Sequence, residues 1–266
     1  MNIAMIGTGY VGLVSGVCFA EFGFQVICVD KDPQIIARLQ SQKTTIFEPG
    51  LDVLLSRNML EGRLTFTTEI AEAVKTADVV FIAVGTPSRR GDGAADLSYI
   101  MAAADEVAQA MEPGQVIAIK STVEVGTGDV VRERIRAARP GVAFSMISNP
   151  EFLREGSAIE DFMRPDRVVI GAHDEHGLQI MRRVYRPLFL RHTPMVETTL
   201  ANAELIKYAS NAFLAVKVSF INQIADLCEK VGGNVQDVAG AMGMDGRIGP
   251  KFLHPGPGFG GSCFPK

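Results

Sequence analysis

Residues 3–12 read IAMIGTGYVG, and this stretch decides the fold of the chain. The four apolar residues predict a buried strand, and the glycine turn behind them opens an apolar helix over residues 11–22. In such a turn Gly7 permits the tight bend, Gly9 lets backbone amides approach a ligand, and Gly12 allows the helix to pack closely on the strand. Amides at a helix N-terminus favour a bound anion, so the stretch predicts a site for the pyrophosphate of a dinucleotide.

A second predicted strand, residues 25–29, ends at Asp30. A carboxylate at this position accepts hydrogen bonds from ribose hydroxyls and repels a 2′-phosphate, so it favours NAD over NADP. Lys31 weakens this preference slightly, because an ammonium group can partner a phosphate. The expected cofactor contacts in this part of the chain are Gly7, Gly9, Tyr10, Val11, Gly12, Asp30 and Lys31.

Predicted strands and helices alternate as far as residue 198. The strands are 63–67, 78–84, 115–120, 144–147, 167–171 and 195–198, and the helices 33–40, 51–60, 70–76, 98–111, 127–138 and 178–189. Repeated strand–helix units are typical of a doubly wound, parallel sheet of the Rossmann type, whose ligands bind at the carboxyl ends of the strands. The predicted fold class is therefore α/β, with this NAD-binding, Rossmann-like domain over residues 1–200.

Polar residues follow three successive strands of this predicted sheet: Thr86, Thr122, and Asn149 with Glu151. Taken singly, each is more often a helix cap or a turn residue. Because parallel strands end at the same edge of a sheet, four such residues predict one shared cleft.

The pattern changes to helix without strands after residue 200. Residues 201–230 contain neither proline nor glycine and carry apolar residues at helical spacing. At about 1.5 Å per residue such a helix is roughly 45 Å long, longer than is usual beside a sheet. It suits a link between domains or the core of a dimer. A second helix is predicted over residues 235–242, so residues 201–266 form an all-α central region.

Two features of this central region suggest catalysis. Lys207 and Asn211 share one helix face and can donate hydrogen bonds to one oxyanion, although an exposed polar pair is the commoner outcome of this spacing. Cys263 lies among glycines, where a thiol is accessible and its thiolate is a strong nucleophile; an idle cysteine in a turn is the alternative. A thiol combined with a hydride-accepting dinucleotide indicates oxidation through a thiohemiacetal and a thioester.

Residues 246–258 form a long segment rich in glycine and proline, and long loops inside a compact protein are often functional. Arg247 can make a forked contact with a hydroxyl or carboxylate of a substrate. The backbone of residues 252–256, which include His254, can wrap a sugar.

Bulk composition narrows the class of protein. The 266 residues are 47% hydrophobic and carry a formal net charge of −4, which argues against a nucleic-acid surface. No apolar run approaches the roughly 20 residues of a membrane span, and the N-terminus lacks the features of a signal peptide. The four cysteines and four histidines show no spacing typical of metal ligands, so no metal is expected. The sequence predicts a cytoplasmic protein.

Seven motifs in order make the chain similar to the UDP-glucose/GDP-mannose dehydrogenase family. They are GTGYVG (7–12), VGTP (84–87), KSTV (120–123), NPEFLREG (149–156), AELIKYASNAF (203–213), RIGPKFLHPGPG (247–258) and FGGSCFPK (259–266). The resemblance covers the whole sequence, and the last two motifs resemble the branch of the family that acts on UDP-glucose.

The resemblance implies an NAD-dependent, two-step, four-electron oxidation of the primary alcohol of a nucleotide sugar. By match to the family motifs, Cys263 would be the nucleophile, and Lys207 and Asn211 would stabilise the oxyanions. Glu151 would activate water for hydrolysis of the thioester, and Thr122 would hold a catalytic water and touch the cofactor.

Further positions take their expected roles from the same motifs. Asp30, Thr86 and Glu155 would line the NAD site. The expected substrate contacts are Glu151, Phe152, Leu153, Lys207, Asn211, Arg247, Phe252, Leu253, His254, Gly256 and Gly260. In the family Arg247 reaches a sugar across a subunit interface, which implies a homodimer formed through the long helix.

The chain departs from the family pattern after Lys266. The family continues with an aspartate that assists the first oxidation and with a domain that grips the nucleotide half of the substrate. We therefore expect an N-terminal fragment that binds NAD with little or no turnover. The alternatives are a substrate such as GDP-mannose or a UDP-N-acetyl sugar, or a non-catalytic module for NAD binding and dimerisation.

Overall fold

The computed structural model describes residues 1–89, 91, 93–189 and 192–257. The chain divides into two compact units, Met1–Leu205 and Ile206–Lys266.

The first unit is built on one eight-stranded sheet with the order β3-β2-β1-β4-β5-β6-β7-β8. Its strands are β1 (Asn2–Ile6), β2 (Gln25–Val29), β3 (Leu64–Thr67), β4 (Val79–Ile82), β5 (Val116–Ile119), β6 (Ser145–Ser148), β7 (Val168–Ala172) and β8 (Met195–Thr198). Strand order reverses at β1, where β2 lies on one side and β4 on the other. The expected α/β class with a Rossmann-like sheet is confirmed.

The sheet is mixed rather than wholly parallel. β1 to β6 run in one direction, whereas β7 pairs with β6 in the antiparallel sense and β8 lies parallel to β7. Strand–helix alternation does not fix the direction of a strand beside its predecessor, so the sequence pattern missed this reversal. As a result, β7 begins at the edge where β6 ends.

Helices cover both faces of the sheet because side chains alternate along each strand. Ile3 and Met5 of β1 pack in one apolar core, and Ala4 and Ile6 pack in the other. The first core takes residues from α1 (Tyr10–Glu21), α2 (Pro33–Gln40), α3 (Leu51–Leu60), α7 (Ala158–Met163) and α8 (Glu175–Val184). The second takes residues from α4 (Ile70–Lys75), α5 (Ser98–Ala110) and α6 (Thr127–Ala138).

One predicted helix is divided in the structure. Instead of a single helix over residues 178–189, α8 is followed by the short helix α9 (Arg186–Phe189). Pro187 has no amide hydrogen to continue the α8 ladder, which explains the break. The start is earlier than predicted because the Asp174 side chain accepts a hydrogen bond from the Gly177 amide at 2.8 Å and caps the helix.

In the residues that the structure describes, the second unit consists of helices followed by turns and loop, without a strand. The long helix α10 (Leu200–Val231) begins in the first unit and continues into the second, and α11 (Val235–Gly243) follows it. The long central helix is thus confirmed. Ile221, Ala239 and Leu253 form a small buried core within the second unit.

Candidate functional site

The glycine turn after β1 combines two tightly packed positions with one open position. Gly7 has φ of +99°, and a Cβ placed on Gly12 would lie 1.9 Å from the Gly7 carbonyl oxygen. A side chain at Gly7 or Gly12 would therefore cause backbone strain or a clash within the protein, whether or not a ligand is bound. Gly9 precedes α1 at its N-cap, and a Cβ built there would meet no atom within 4 Å. The space above the helix N-terminus suits the phosphates of a dinucleotide.

Asp30 lies beside this turn because β2 pairs with β1. Its Oδ2 accepts hydrogen bonds from the Thr8 amide at 2.9 Å and the Thr8 hydroxyl at 2.7 Å. The Asp32 amide donates to Oδ1 at 3.1 Å. These contacts fix a carboxylate at the strand end, where ribose hydroxyls would need an acceptor. The Lys31 ammonium contacts the Glu106 carboxylate on α5. The residues present thus fit a dinucleotide.

The segments that follow β4, β5 and β6 share one edge of the sheet, since these strands are parallel neighbours. The buried Thr86 hydroxyl donates to the Thr122 carbonyl oxygen at 2.9 Å. The Ser121 hydroxyl donates to the Val84 carbonyl oxygen at 2.6 Å. Two of the predicted site residues, Thr86 and Thr122, are therefore in direct contact.

Glu151 is buried in the segment after β6, and its Oε2 accepts a hydrogen bond from the Leu153 amide at 2.5 Å. The next side chain, Phe152, is covered by the Arg167 guanidinium, whose central carbon lies 3.5 Å from the ring centroid. Burial lowers the pKa of Arg167. A cation over an aromatic ring is attracted to it, so this contact helps to hold the segment that carries Glu151.

A second acid, Glu48, joins the same segment to the glycine turn. Its carboxylate accepts hydrogen bonds from the Tyr10 phenol, from the Gly156 amide at 2.9 Å and from the Ala158 amide at 2.8 Å. Burial, followed by the hydrogen bond to Glu48, raises the pKa of Tyr10. The neighbouring Glu155, expected at the NAD site, is exposed.

Asn149 was expected in the cleft, and its side chain lies in a buried polar cluster instead. Its Oδ1 accepts hydrogen bonds from the Lys120 ammonium at 3.2 Å and from the Tyr185 hydroxyl at 2.6 Å. The Lys120 nitrogen also lies 5.9 and 5.7 Å from the ring centroids of Phe81 and Phe162. The cluster thus connects Lys120, which directly follows β5, with Asn149, which directly follows β6.

In the second unit, Lys207 and Asn211 lie on α10, one helical turn apart. Lys207 is 4% exposed, and Asn211 is partly buried. Arg247 is exposed and pairs with Asp245, with Nη2 2.6 Å from Oδ2. Leu253, an expected substrate contact, is buried in the small apolar core of the unit.

The glycine- and proline-rich segment of the second unit is tied to α10. The Gly256 amide donates to Asn222 Oδ1 at 2.9 Å, and the Lys217 ammonium donates to the Ile248 carbonyl oxygen at 3.0 Å. Phe252 has φ of +65°, a conformation uncommon for a residue with a side chain. His254 is exposed. The expected site residues Gly260 and Cys263 lie outside the residues that the structure describes.

The other cysteines are structural. Cys18 and Cys28 are fully buried, and burial raises the pKa of Cys28 to about 12. Cys228 is buried in the second unit. Within the described ranges, His, Cys, Asp and Glu side chains nowhere form a group of three or more that could hold a metal ion. Among the helices of those ranges, none combines the length and apolarity that crossing a membrane requires.

Sequence reasoning missed Glu48, Lys120, Tyr185 and Arg167. Glu48 meets its three partners across 38, 108 and 110 residues of sequence, so no local pattern identifies it. Lys120 carries a weak signal, because a cation directly after four buried strand residues is unusual.

Comparison with known proteins gives a consistent result. Residues 1–189 match the model of the UDP-glucose/GDP-mannose dehydrogenase family, NAD binding domain. Residues 201–266 match the central domain of the same family. A relative from Rhizobium meliloti (strain 1021), UDP-glucose 6-dehydrogenase, is 62% identical over all of this chain, which spans 61% of the relative's length.

Two solved structures are also similar. A UDP-glucose dehydrogenase from the hyperthermophilic archaeon Pyrobaculum islandicum is 44% identical with a TM-score of 0.94, over 99% of this chain and 61% of that one. A GDP-mannose dehydrogenase from Pseudomonas aeruginosa, solved as a ternary complex, is 37% identical with a TM-score of 0.89, over 100% of this chain and 62% of that one.

Proposed function

The chain belongs to the UDP-glucose/GDP-mannose dehydrogenase family, and we propose that it supplies the NAD-binding and central parts of an enzyme that oxidises UDP-glucose to UDP-glucuronate. One observation carries the proposal: the glycine turn and Asp30 fit a dinucleotide in a chain that is 62% identical throughout to a UDP-glucose 6-dehydrogenase. The chain spans 61% of that relative, so the activity is proposed for a protein of the relative's full length.

The first unit holds the cofactor in this proposal. The turn from Gly7 to Gly12, which includes Tyr10 and Val11, receives the pyrophosphate, and Asp30 accepts the ribose hydroxyls. Thr86 and Glu155 line the NAD site, and Thr122 touches the cofactor and holds a catalytic water. Bound NAD would supply the hydride acceptor for both oxidations. The contact between Lys31 and Glu106 supports NAD rather than NADP, since it engages the cation that a 2′-phosphate would need.

The remaining chemistry falls to side chains. The Cys263 thiolate adds to the carbonyl carbon of the aldehyde, and a carbon–sulfur bond forms as the carbonyl oxygen becomes an oxyanion. Lys207 and Asn211 donate hydrogen bonds to that oxygen. After the second oxidation Glu151 takes a proton from water, whose oxygen attacks the thioester carbon, and Cys263 leaves as a thiolate. Their positions on one turn of α10 and in one buried segment after β6 support these roles.

The proposed substrate contacts of the first unit are Phe152 and Leu153, in the segment after β6. Those of the second unit are Arg247 and the 252–256 backbone, in its glycine- and proline-rich segment. The exposed guanidinium of Arg247 supports a contact with a ligand or a neighbouring subunit.

A second copy of this chain is the proposed partner. Phe213, Val216, Phe220, Leu227 and Val231 are exposed although they are large and apolar. Their spacing places them along one stripe of α10, because positions three, four or seven apart share a helix face. A homodimer through α10 would bury this stripe. The free thiols of Cys18, Cys28 and Cys228 also suit the reducing cytoplasm that we propose as the location.

A substrate panel tests the proposal. The full-length protein is given NAD and UDP-glucose, GDP-mannose or a UDP-N-acetyl sugar, and NADH absorbance is followed. We expect the highest kcat/KM with UDP-glucose, because the identity to the UDP-glucose enzyme is 62% and to the GDP-mannose enzyme 37%. A higher value with another sugar nucleotide would assign the chain to that substrate instead.

Cys263→Ser separates an enzyme from a binding module. The variant should lose the oxidation of aldehyde to acid. It should keep its NAD affinity, because the residues proposed to bind NAD do not include Cys263. Cys228→Ala is the matched control, since it removes a thiol without a proposed role. Turnover of Cys263→Ser at the wild-type rate would rule out thioester chemistry. NAD binding without turnover in the wild-type protein would favour the non-catalytic module.

A further inference from the structure

Glu48 is a buried carboxylate to which the proposed reaction gives no role. It lies between α2 and α3, and it is 5% exposed. An ionised carboxylate only accepts hydrogen bonds, and burial makes an acceptor without donors costly. The donors that meet Glu48 come from two distant parts of the chain.

The first donor belongs to the glycine turn. The Tyr10 phenol donates to Oε2 of Glu48, and Tyr10 is the first residue of α1, directly after Gly9. A tyrosine phenol is protonated at neutral pH because its ordinary pKa is about 10, and burial raises the pKa of Tyr10 further, so this phenol is a donor.

The other donors belong to the segment after β6. The Gly156 amide donates to Oε2 at 2.9 Å and the Ala158 amide to Oε1 at 2.8 Å. Gly156 has φ of +84°, a left-handed turn that follows Glu155 directly, and Ala158 is the first residue of α7. Both carboxylate oxygens are thus engaged by the end of the segment that begins at Glu151.

We propose that Glu48 is a positioning residue that fixes the segment carrying Glu151 and Glu155 against the glycine turn. NAD affinity and the rate of oxidation then depend on Glu48 although it acts only through its neighbours. This inference rests on the proposed function, which assigns Glu151 and Glu155 their roles.

The decisive variant is Glu48→Gln, which keeps size but turns one acceptor oxygen into a donor facing an amide hydrogen. In the full-length enzyme we expect KM for NAD to rise and kcat to fall, each by about tenfold, because small misplacements of site groups are costly. KM for UDP-glucose should rise less. A role in stability alone would lower the active fraction and so kcat, leaving both KM values unchanged. The matched control is Glu72→Gln on α4, an exposed acid that should behave as wild type.

Hydrogen exchange provides a readout that is independent of activity. In Glu48→Gln the Gly156 and Ala158 amides should exchange faster by about tenfold or more, because their acceptor is weakened. If this variant folds poorly, Tyr10→Phe removes the hydrogen bonds of the phenol to Glu48 and to the Arg154 carbonyl oxygen, and it should raise KM for NAD less strongly. Wild-type exchange at both amides, or an unchanged KM for NAD in both variants, would overturn the inference. Absence of NAD binding by the wild-type protein would instead overturn the proposed function, while the exchange result would still decide whether Glu48 holds the segment.

Discussion

At the scale of single residues, the glycine turn separates positions that serve packing from a position that serves binding. A Cβ on Gly12 would collide with the Gly7 carbonyl oxygen at 1.9 Å, whereas a Cβ on Gly9 would meet nothing within 4 Å. Glycine is therefore required at position 12 for packing within the protein, whereas at position 9 it leaves space for the proposed ligand.

This difference makes the pair Gly12→Ala and Gly9→Ala a matched test. Gly12→Ala should lower Tm by about 3 °C or more, since overpacking against backbone costs roughly 1–3 kcal/mol. Gly9→Ala should keep Tm near wild type but weaken NAD binding by about tenfold, or 1.4 kcal/mol, because its methyl group enters the proposed phosphate site. Thermal unfolding and titration calorimetry measure the two effects. Wild-type NAD affinity in Gly9→Ala would place the cofactor elsewhere.

The buried cluster around Lys120 gives a second prediction at this scale. Tyr185→Phe removes the 2.6 Å hydrogen bond to Asn149 Oδ1 and the 3.3 Å hydrogen bond that the hydroxyl accepts from the Lys120 ammonium. We expect a loss of about 2 kcal/mol in the free energy of unfolding, because one of the two bonds comes from a charged group. Urea denaturation measures it, with the exposed Tyr99→Phe as the control. Equal stability of the two variants would show that the cluster does not depend on the Tyr185 hydroxyl.

At the scale of helices and strands, the sequence predicted those elements whose signal is local. The bounds of α2, α3 and α6 agree with the prediction, because a proline or glycine beside an apolar periodic stretch marks a helix start. The six-residue helix α7 was not predicted, although α4, which is equally short, was. The direction of β7 and the contacts of Glu48 depend on pairing with distant chain, which no local pattern records.

The residues of the candidate site also fall into those that a local motif predicts and those that depend on contacts with distant parts of the chain. The glycine turn, Asp30 and the contact of Thr86 with Thr122 follow from motifs at strand ends, so sequence reasoning reached these residues. The Asn149 side chain is buried and contacts Lys120, which follows a different strand. Sequence spacing alone cannot decide which side of a strand end such an amide occupies.

The exposed apolar stripe of α10 gives a prediction about dimer formation. In the full-length protein, Val216→Lys combined with Phe220→Lys should shift the mass in sedimentation velocity from dimer to monomer, because two charges would be buried in the proposed interface. Glu229 is exposed on the opposite face of α10, so the control variant Glu229→Lys should leave the mass unchanged. A dimer that persists in the double variant would place the interface elsewhere.

At the scale of the whole molecule, two domain models of one family match residues 1–189 and 201–266, and the structure itself divides between Leu205 and Ile206. The first unit fits a dinucleotide through its own residues. The proposed nucleophile, Cys263, and the proposed oxyanion donors belong to the second. The central claim is that both units serve one reaction, in which the same sugar carbon is oxidised twice.

The most direct test of that claim is the stoichiometry of the full-length enzyme when UDP-glucose is consumed completely in excess NAD. Conversion of a primary alcohol and water to a carboxylate removes four electrons, so the account predicts two NADH and three protons for each UDP-glucose, with UDP-glucuronate as the product. One NADH for each sugar nucleotide, with an aldehyde as the final product, would contradict it.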